Sequence, residues 1–257
     1  MHVDSETATA VVVIQQETGR RLIGKAVSQL PQVKSAAASR RMAIVGGSTT
    51  RHVVKSLTGE DPGRDEFAVG WIKNSLLGET PADGRGPGAF LFNKGEISRG
   101  WPGDLLNEFA ANDIYIKGAN ALDSDGNIGI LMASPVGGTI GAAISIVMSR
   151  GRGAELIIPI SLQKLIPSIP DIGGLLGQGR IDRFMGSPVG YMPIMKDYAT
   201  VISEIEAMKT LFDIDAVAIA AGGLDDCAGS VSLHLTGTAE NIEHAWSMVD
   251  DFNKQGS

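Results

Sequence analysis

Cys227 is the one cysteine of this 257-residue chain. A single thiol has no partner within the chain, so an internal disulfide and zinc sites built on paired cysteines are both excluded. Apolar runs are short. The longest, AELIIPI (154–160) and AVAIAA (216–221), fall well below the roughly 20 residues that cross a bilayer. The opening segment MHVDSETATAVVVIQQETGRR is acidic and polar in its lead and lacks a basic n-region, which argues against a secretory signal. Lysine and arginine nowhere cluster, and with a net charge of −7 the chain lacks the positive stripe that phosphate backbones require. No repeat of 20–50 residues is visible. These absences leave a soluble, cytoplasmic protein with a small-molecule partner, and no nucleic acid or membrane.

What is present is enough for a sizeable core: 43% of residues are hydrophobic and 20% charged, in a length that suits one large domain or a domain with an annex. Strand and helix patterns alternate. Residues 17–39 read as a packing helix through Leu22, Ile23, Ala26 and Val27, ended or kinked at Pro31. MAIVGG (42–47), FAVGWI (67–72), AFLFN (89–93), DIYIKG (113–118), NIGILMA (127–133), AELIIPIS (154–161) and VGYMPIM (189–195) read as strands. Helices are expected over 138–151, ending at Gly151 or Gly153, near Leu105 and Phe109, and from Thr200 to Phe212, where Ile202, Ile205, Met208 and Leu211 form a stripe. The Pro- and Gly-rich stretch 162–190 reads as a long connection. DAVAIAAGG, SVSLHLTG and TAENIEHAWSMVDDF close the chain as a β-β-α unit. The pattern predicts one α/β domain over 1–257. Its core is an open, mainly parallel Rossmann-like sheet with helices on both faces, and residues 200–257 form a C-terminal α+β subdomain.

Two glycine turns lead from strand into helix, at GGSTTRHV (46–53) and VGGTIG (136–141). A helix that begins at such a turn presents unpaired N–H groups and the positive end of its dipole, a ready seat for a phosphate or carboxylate. Gly46, Gly47, Ser48, Thr49 and Thr50 are therefore candidate ligand-binding residues, with Ser48 as the helix cap, together with Gly137, Gly138 and Thr139. Neither turn has the P-loop or dinucleotide spacing, so no nucleotide cofactor is expected. KGANALDSDGN adds Lys117, Asn120 and Asp123 just past a strand's carboxyl end, where α/β sheets bind ligands. A calcium loop over DSDGN is disfavoured, because Ser134 stands where the bidentate Glu belongs. Trp71 and Trp101 read as packing residues by default, with the pocket lining or a subunit contact as the alternative; His52, one turn into the first helix, faces either the ligand or, at least as readily, solvent or the core, and His234 and His244 lack metal-ligand spacing.

GGSTTRHVV resembles the Gly-Ser-Thr phosphate turn of ribose-phosphate isomerases. IKGANALDSDGN is similar to that family's DGADEVDP segment, and the following GGT to its glycine-rich turn. The same segments recur in order among glucosamine-phosphate deaminases, CoA transferases and the sugar-sensing domains of bacterial repressors. The resemblance implies an assembly of identical chains acting without a metal or other cofactor on a phosphorylated or carboxylated metabolite. In that picture Lys117, Asn120 and Asp123 contact the reacting portion. This chain departs from the family at Lys117 and Asn120, which replace two aspartates, and at TIGAAIS, which lacks the family's glutamate. Isomerisation needs a positioned carboxylate, a contribution of about 10²–10⁴-fold. The remaining candidates are Asp123, Glu96, which is also the one candidate nucleophile for an acyl anhydride, and Glu204 and Glu206, which read as dipole-favoured residues of a helix start. Lys117, Asp123 and Glu96 are accordingly the expected catalytic residues. A non-catalytic effector-binding module, or a subunit of a larger complex, is the alternative.

Overall fold

In a computed structural model, residues 7–150 and 154–256 are described. At its centre is a six-stranded sheet, built from β2 (Arg41–Ile44), β5 (Ala89–Asn93), β6 (Glu96–Gly100), β7 (Asp113–Ile116), β10 (Ala154–Pro159) and β12 (Thr200–Ile202). The order is β12-β10-β7-β2-β5-β6. The first four run parallel, while β5 and β6 are antiparallel additions beside β2. The chain is thus a mixed α/β protein with a mostly parallel central sheet.

Alternation along each parallel strand divides the core in two. Met42 and Ile44, Ile114 and Ile116, and Ile157 point to one face, where they join residues of α1 (Gln16–Gln29), α2 (Pro31–Ser39), α3 (Thr50–Thr58) and α7 (Glu204–Phe212). Ala43 and Val45, Tyr115, and Leu156 and Ile158 point to the other, joining residues of α5 (Gly103–Asn107) and α6 (Gly138–Arg150). Strands buried on both faces read as near-continuous apolar runs, as AELIIPI does.

A second sheet, wholly antiparallel, has the order β1-β14-β13, from β1 (Thr7–Ile14), β13 (Asp215–Ala221) and β14 (Val231–Thr238), and packs against α8 (Ala239–Gln255). The β-β-α pattern anticipates β13, β14 and α8; β1 is an addition, drawn from a segment the sequence presents as a polar lead. Two smaller elements complete the chain: a sheet β11-β9-β8, from Gly190–Ile194, Ile128–Met132 and Ala121–Leu122, and a hairpin of β3 (Gly70–Lys73) and β4 (Leu76–Glu79).

Local differences from the sequence reading have local causes. The pattern over 17–39 is broken at Pro31 as expected, α1 ending at Gln29, but Pro31 also starts a second helix, α2, because a missing N–H costs nothing at a first helical position. Phe67 closes the short α4 (Arg64–Phe67), and the strand begins only at Gly70. The expected helix from Thr200 starts later: residues 200–202 pair with β10, and Ser203 caps α7 in a capping box with Glu206. The expected end of α6 at Gly151 or Gly153 lies outside the described residues. Among the described residues no helix is long and apolar enough to cross a membrane.

Candidate functional site

Three parallel neighbours, β2, β7 and β10, end on the same edge of the sheet. Beyond β2 come Val45, Gly46 and Gly47; beyond β7, Lys117 and Gly118; beyond β10, the turn that carries Lys164. From β2 the chain first adds β5 and β6 on one side and then β7 and β10 on the other. The gap between β2 and β7 is therefore a switch point, where connections diverge and a crevice opens. A cleft of about 600 Å³ lies there, and residues 46–49, 117–120, 137–139 and Lys164 all line it. Its outer wall is the β3-β4 hairpin and the loop before β5, with Trp71 and Trp101 on the lining. Neither tryptophan is a core residue; Trp101 is 58% exposed.

The two glycine turns thus face one cavity. The N–H groups of Gly47, Ser48 and Thr49 at the first turn, and of Gly138, Thr139 and Ile140 at the second, meet no acceptor among the described residues. Gly137 and Gly138 have φ of 79° and 57°, the left-handed region where glycine carries no Cβ penalty. Gly46 is required for a different reason than ligand approach: a Cβ there would collide with the Phe67 carbonyl oxygen. Tyr115, fully buried, donates its hydroxyl to the Thr139 carbonyl at 2.7 Å, which ties β7 to the start of α6. Burial pushes that hydroxyl's pKa up, against the lowering effect of the bond to Thr139.

Thr50 departs from its expected role. Its hydroxyl donates to the carbonyls of Val45 (2.7 Å) and Gly47 (3.1 Å), it is fully buried, and it does not line the cleft. The helix cap is Thr49, not Ser48, and no side chain caps that end.

Asp123 is committed elsewhere as well. Its carboxylate accepts from the N–H groups of Asp125 (3.0 Å), Asn127 (2.9 Å) and Ile169 (2.9 Å) and from the Asn127 amide (3.0 Å). Burial acts to raise its pKa, but the bonds from Asn127, Ile169 and Asp125 outweigh it and hold the carboxyl below the usual range. It is absent from the cleft lining; it pins the turn after β8 to the segment at Ile169. No lone pair is left for a substrate or for calcium. Glu96 sits exposed in the β5-β6 hairpin, opposite Asn93 and away from the cleft. Glu206 is spent on the capping box. Glu204 is buried, and it accepts from the Leu162 N–H at 2.9 Å. Burial raises its pKa, opposed by hydrogen bonds from Ser161 and Leu162. Two carboxylates do line the cleft, Glu66 and Glu79, and Glu79 is paired with Arg85 at 2.7 Å. Among the described residues no three His, Cys, Asp or Glu side chains gather as a metal-holding set.

The cations of the floor are lysines. Lys117 is half-buried, and its side chain has no hydrogen-bond or ion-pair partner among the described residues. Burial lowers its pKa to about 8. Lys164, which sequence reasoning missed, donates to the Ala119 carbonyl at 2.6 Å. Burial, then the charges of Arg20 and Lys117, bring it to about 8, with Glu204 opposing. Glu204 holds the Leu162 N–H and thereby positions the turn on which Lys164 stands. Asn120 lines the cleft with its side-chain oxygen engaged by the Leu131 N–H at 3.0 Å. His52 faces the other way, its Nε2 2.9 Å from Glu17.

Comparison of the chain with protein-family models, with curated proteins and with solved structures finds no match. The functional reading therefore rests on the cleft's own geometry.

Proposed function

We propose that the cleft binds a small phosphorylated or carboxylated metabolite, at the carboxyl edge of a Rossmann-like sheet. Residues 46–49 and 137–139 take the anionic end, and Lys117 and Lys164 supply the opposing charge. The observation that carries this reading is Lys117: a cation lining a cavity with, among the described residues, no carboxylate beside it, flanked by two turns whose N–H groups meet no acceptor there. An unpaired half-buried charge costs free energy that an anionic ligand would recover. The resemblance to ribose-phosphate isomerases and CoA transferases supports the same reading, at the level of an anion-binding site. Isomerase-like or transferase-like turnover would fall to Glu66, among the described residues the one cleft carboxylate outside an ion pair.

That scarcity of carboxylates favours a second reading, an effector-binding module without turnover. Thermal unfolding with inorganic phosphate, sugar phosphates, carboxylates and acyl-CoAs tests the first claim. A ligand at 100 times its Kd adds about 2.7 kcal/mol, or roughly 5–10 °C for a chain of this size. No shift with any anion, or a shift kept in Lys117→Met, would refute it. Product analysis with the stabilising ligand then separates enzyme from sensor: saturable binding with no product supports the sensor.

A further inference from the structure

We propose that Lys117 is an amine nucleophile that forms an imine with a small aldehyde or ketone carrying a phosphate or carboxylate; this rests on the anionic-ligand reading above. The geometry supplies three elements. Lys117 lines the cleft at the end of β7, and among the described residues its amine is tied to no acceptor or carboxylate. Lys164 lines the same floor with one of its three protons engaged on Ala119, which leaves two for a substrate oxygen. The unpaired N–H groups of 47–49 and 138–140 lie on the same cavity, so an anionic tail seated there would hold the carbonyl near the amine. The environment also favours a free amine, since burial brings Lys117 to about 8 from its ordinary 10.5, and a desolvated lysine beside another cation is a recognised way to activate such a nucleophile.

The step balances without a redox partner. The nitrogen lone pair attacks the carbonyl carbon, the C=O π pair moves to oxygen, and a nitrogen proton passes to that oxygen to give a carbinolamine. Lys164 then gives a proton to the departing hydroxyl. Water leaves as the C=N bond forms, and Lys164 recovers its proton from the iminium nitrogen or from solvent.

Incubation of the full chain with glyceraldehyde 3-phosphate and sodium cyanoborohydride, followed by peptide mapping, tests this. The expected result is reduction-trapped adduct on Lys117 forming about tenfold or more faster than on the exposed Lys73 and Lys254, suppressed by inorganic phosphate and slower with unphosphorylated glyceraldehyde. Lys117→Arg, which keeps the charge, should lose that adduct while still being stabilised by phosphate. Labelling of Lys117 no faster than of Lys73 overturns the imine; if phosphate nonetheless stabilises the protein, the anion site stands alone. Preferential labelling of Lys117 that phosphate neither suppresses nor accompanies with stabilisation overturns the anionic substrate class instead.

Discussion

Replacing Asp123 by alanine should unfold the protein more readily, not simply inactivate it. Its carboxylate receives four N–H groups, and those of Asn127 and Ile169 are buried with it. Bonds to a charged group contribute about 1.5–3 kcal/mol each, roughly 6–12 in a naive sum. The four share one acceptor, and Asp125 is exposed, so water can replace part of the loss. Removal of one member of such a buried network should cost about 3–5 kcal/mol. At this chain length that is a fall of roughly 6–20 °C in Tm. Asp123→Asn keeps one acceptor oxygen but sets its own NH2 against a donor, and should fall between alanine and the native protein. Urea unfolding followed by tryptophan fluorescence reads the change as a shifted midpoint with an unchanged slope. The sign of the pH dependence follows from the lowered pKa. The contribution is complete above the ordinary carboxylate value of 3.8 and fades as pH falls through the lower folded-state value. The reasoning is refuted if Asp123→Ala costs under about 1 kcal/mol yet abolishes ligand binding, which would return this carboxylate to the cleft.

Three further outcomes are expected. Gly46→Ala drives a methyl into the Phe67 carbonyl and should cost about 2–3 kcal/mol, whereas Ser48→Ala, with no cap bond to lose, should leave the Tm unchanged. Tyr115→Phe frees the Thr139 carbonyl and should cost about 1–2 kcal/mol, measurable as earlier amide exchange from Gly141, the first bonded amide of α6, onward. The rate of imine trapping at Lys117 should pass through a maximum near pH 8, because attack needs the neutral Lys117 amine and loss of water needs protonated Lys164; a rate that climbs without a maximum through pH 9 would contradict two lysines whose pKa values burial has lowered.

The central strands were legible because each is apolar on both faces, and the two glycine turns because their residues restrict what the backbone can do. Elements whose pattern depends on distant partners were not. β1 alternates between exposed and more buried positions along its whole length, but its sequence ends in the unbroken apolar run VVVI, with Val11 and Val13 half exposed, so its two faces are told apart only once β14 is beside it. Thr200 to Ile202 has the apolar spacing of a helix face and is claimed by β10 instead. At the site, sequence locates Asp123 near a strand end but not the direction of its carboxylate, which depends on Ile169 arriving from a Pro-rich connection. Lys164 lies in that same connection, and the pairing of β10 with β7 brings it to the floor. The one clue to it was an isolated cation three residues past an apolar strand.

The union of β1 with β14 sets a constraint on how the chain assembles. More than two hundred residues separate Val12 from its partner Leu233, so on the ribosome the first strand waits through synthesis of the whole central sheet before its neighbour emerges. Closure of so distant a contact is slow, and an unpaired strand bearing four consecutive β-branched residues is an invitation to aggregate in the interval. Expression yield should therefore depend on whatever shelters residues 7–14 until the last helix and strand are made.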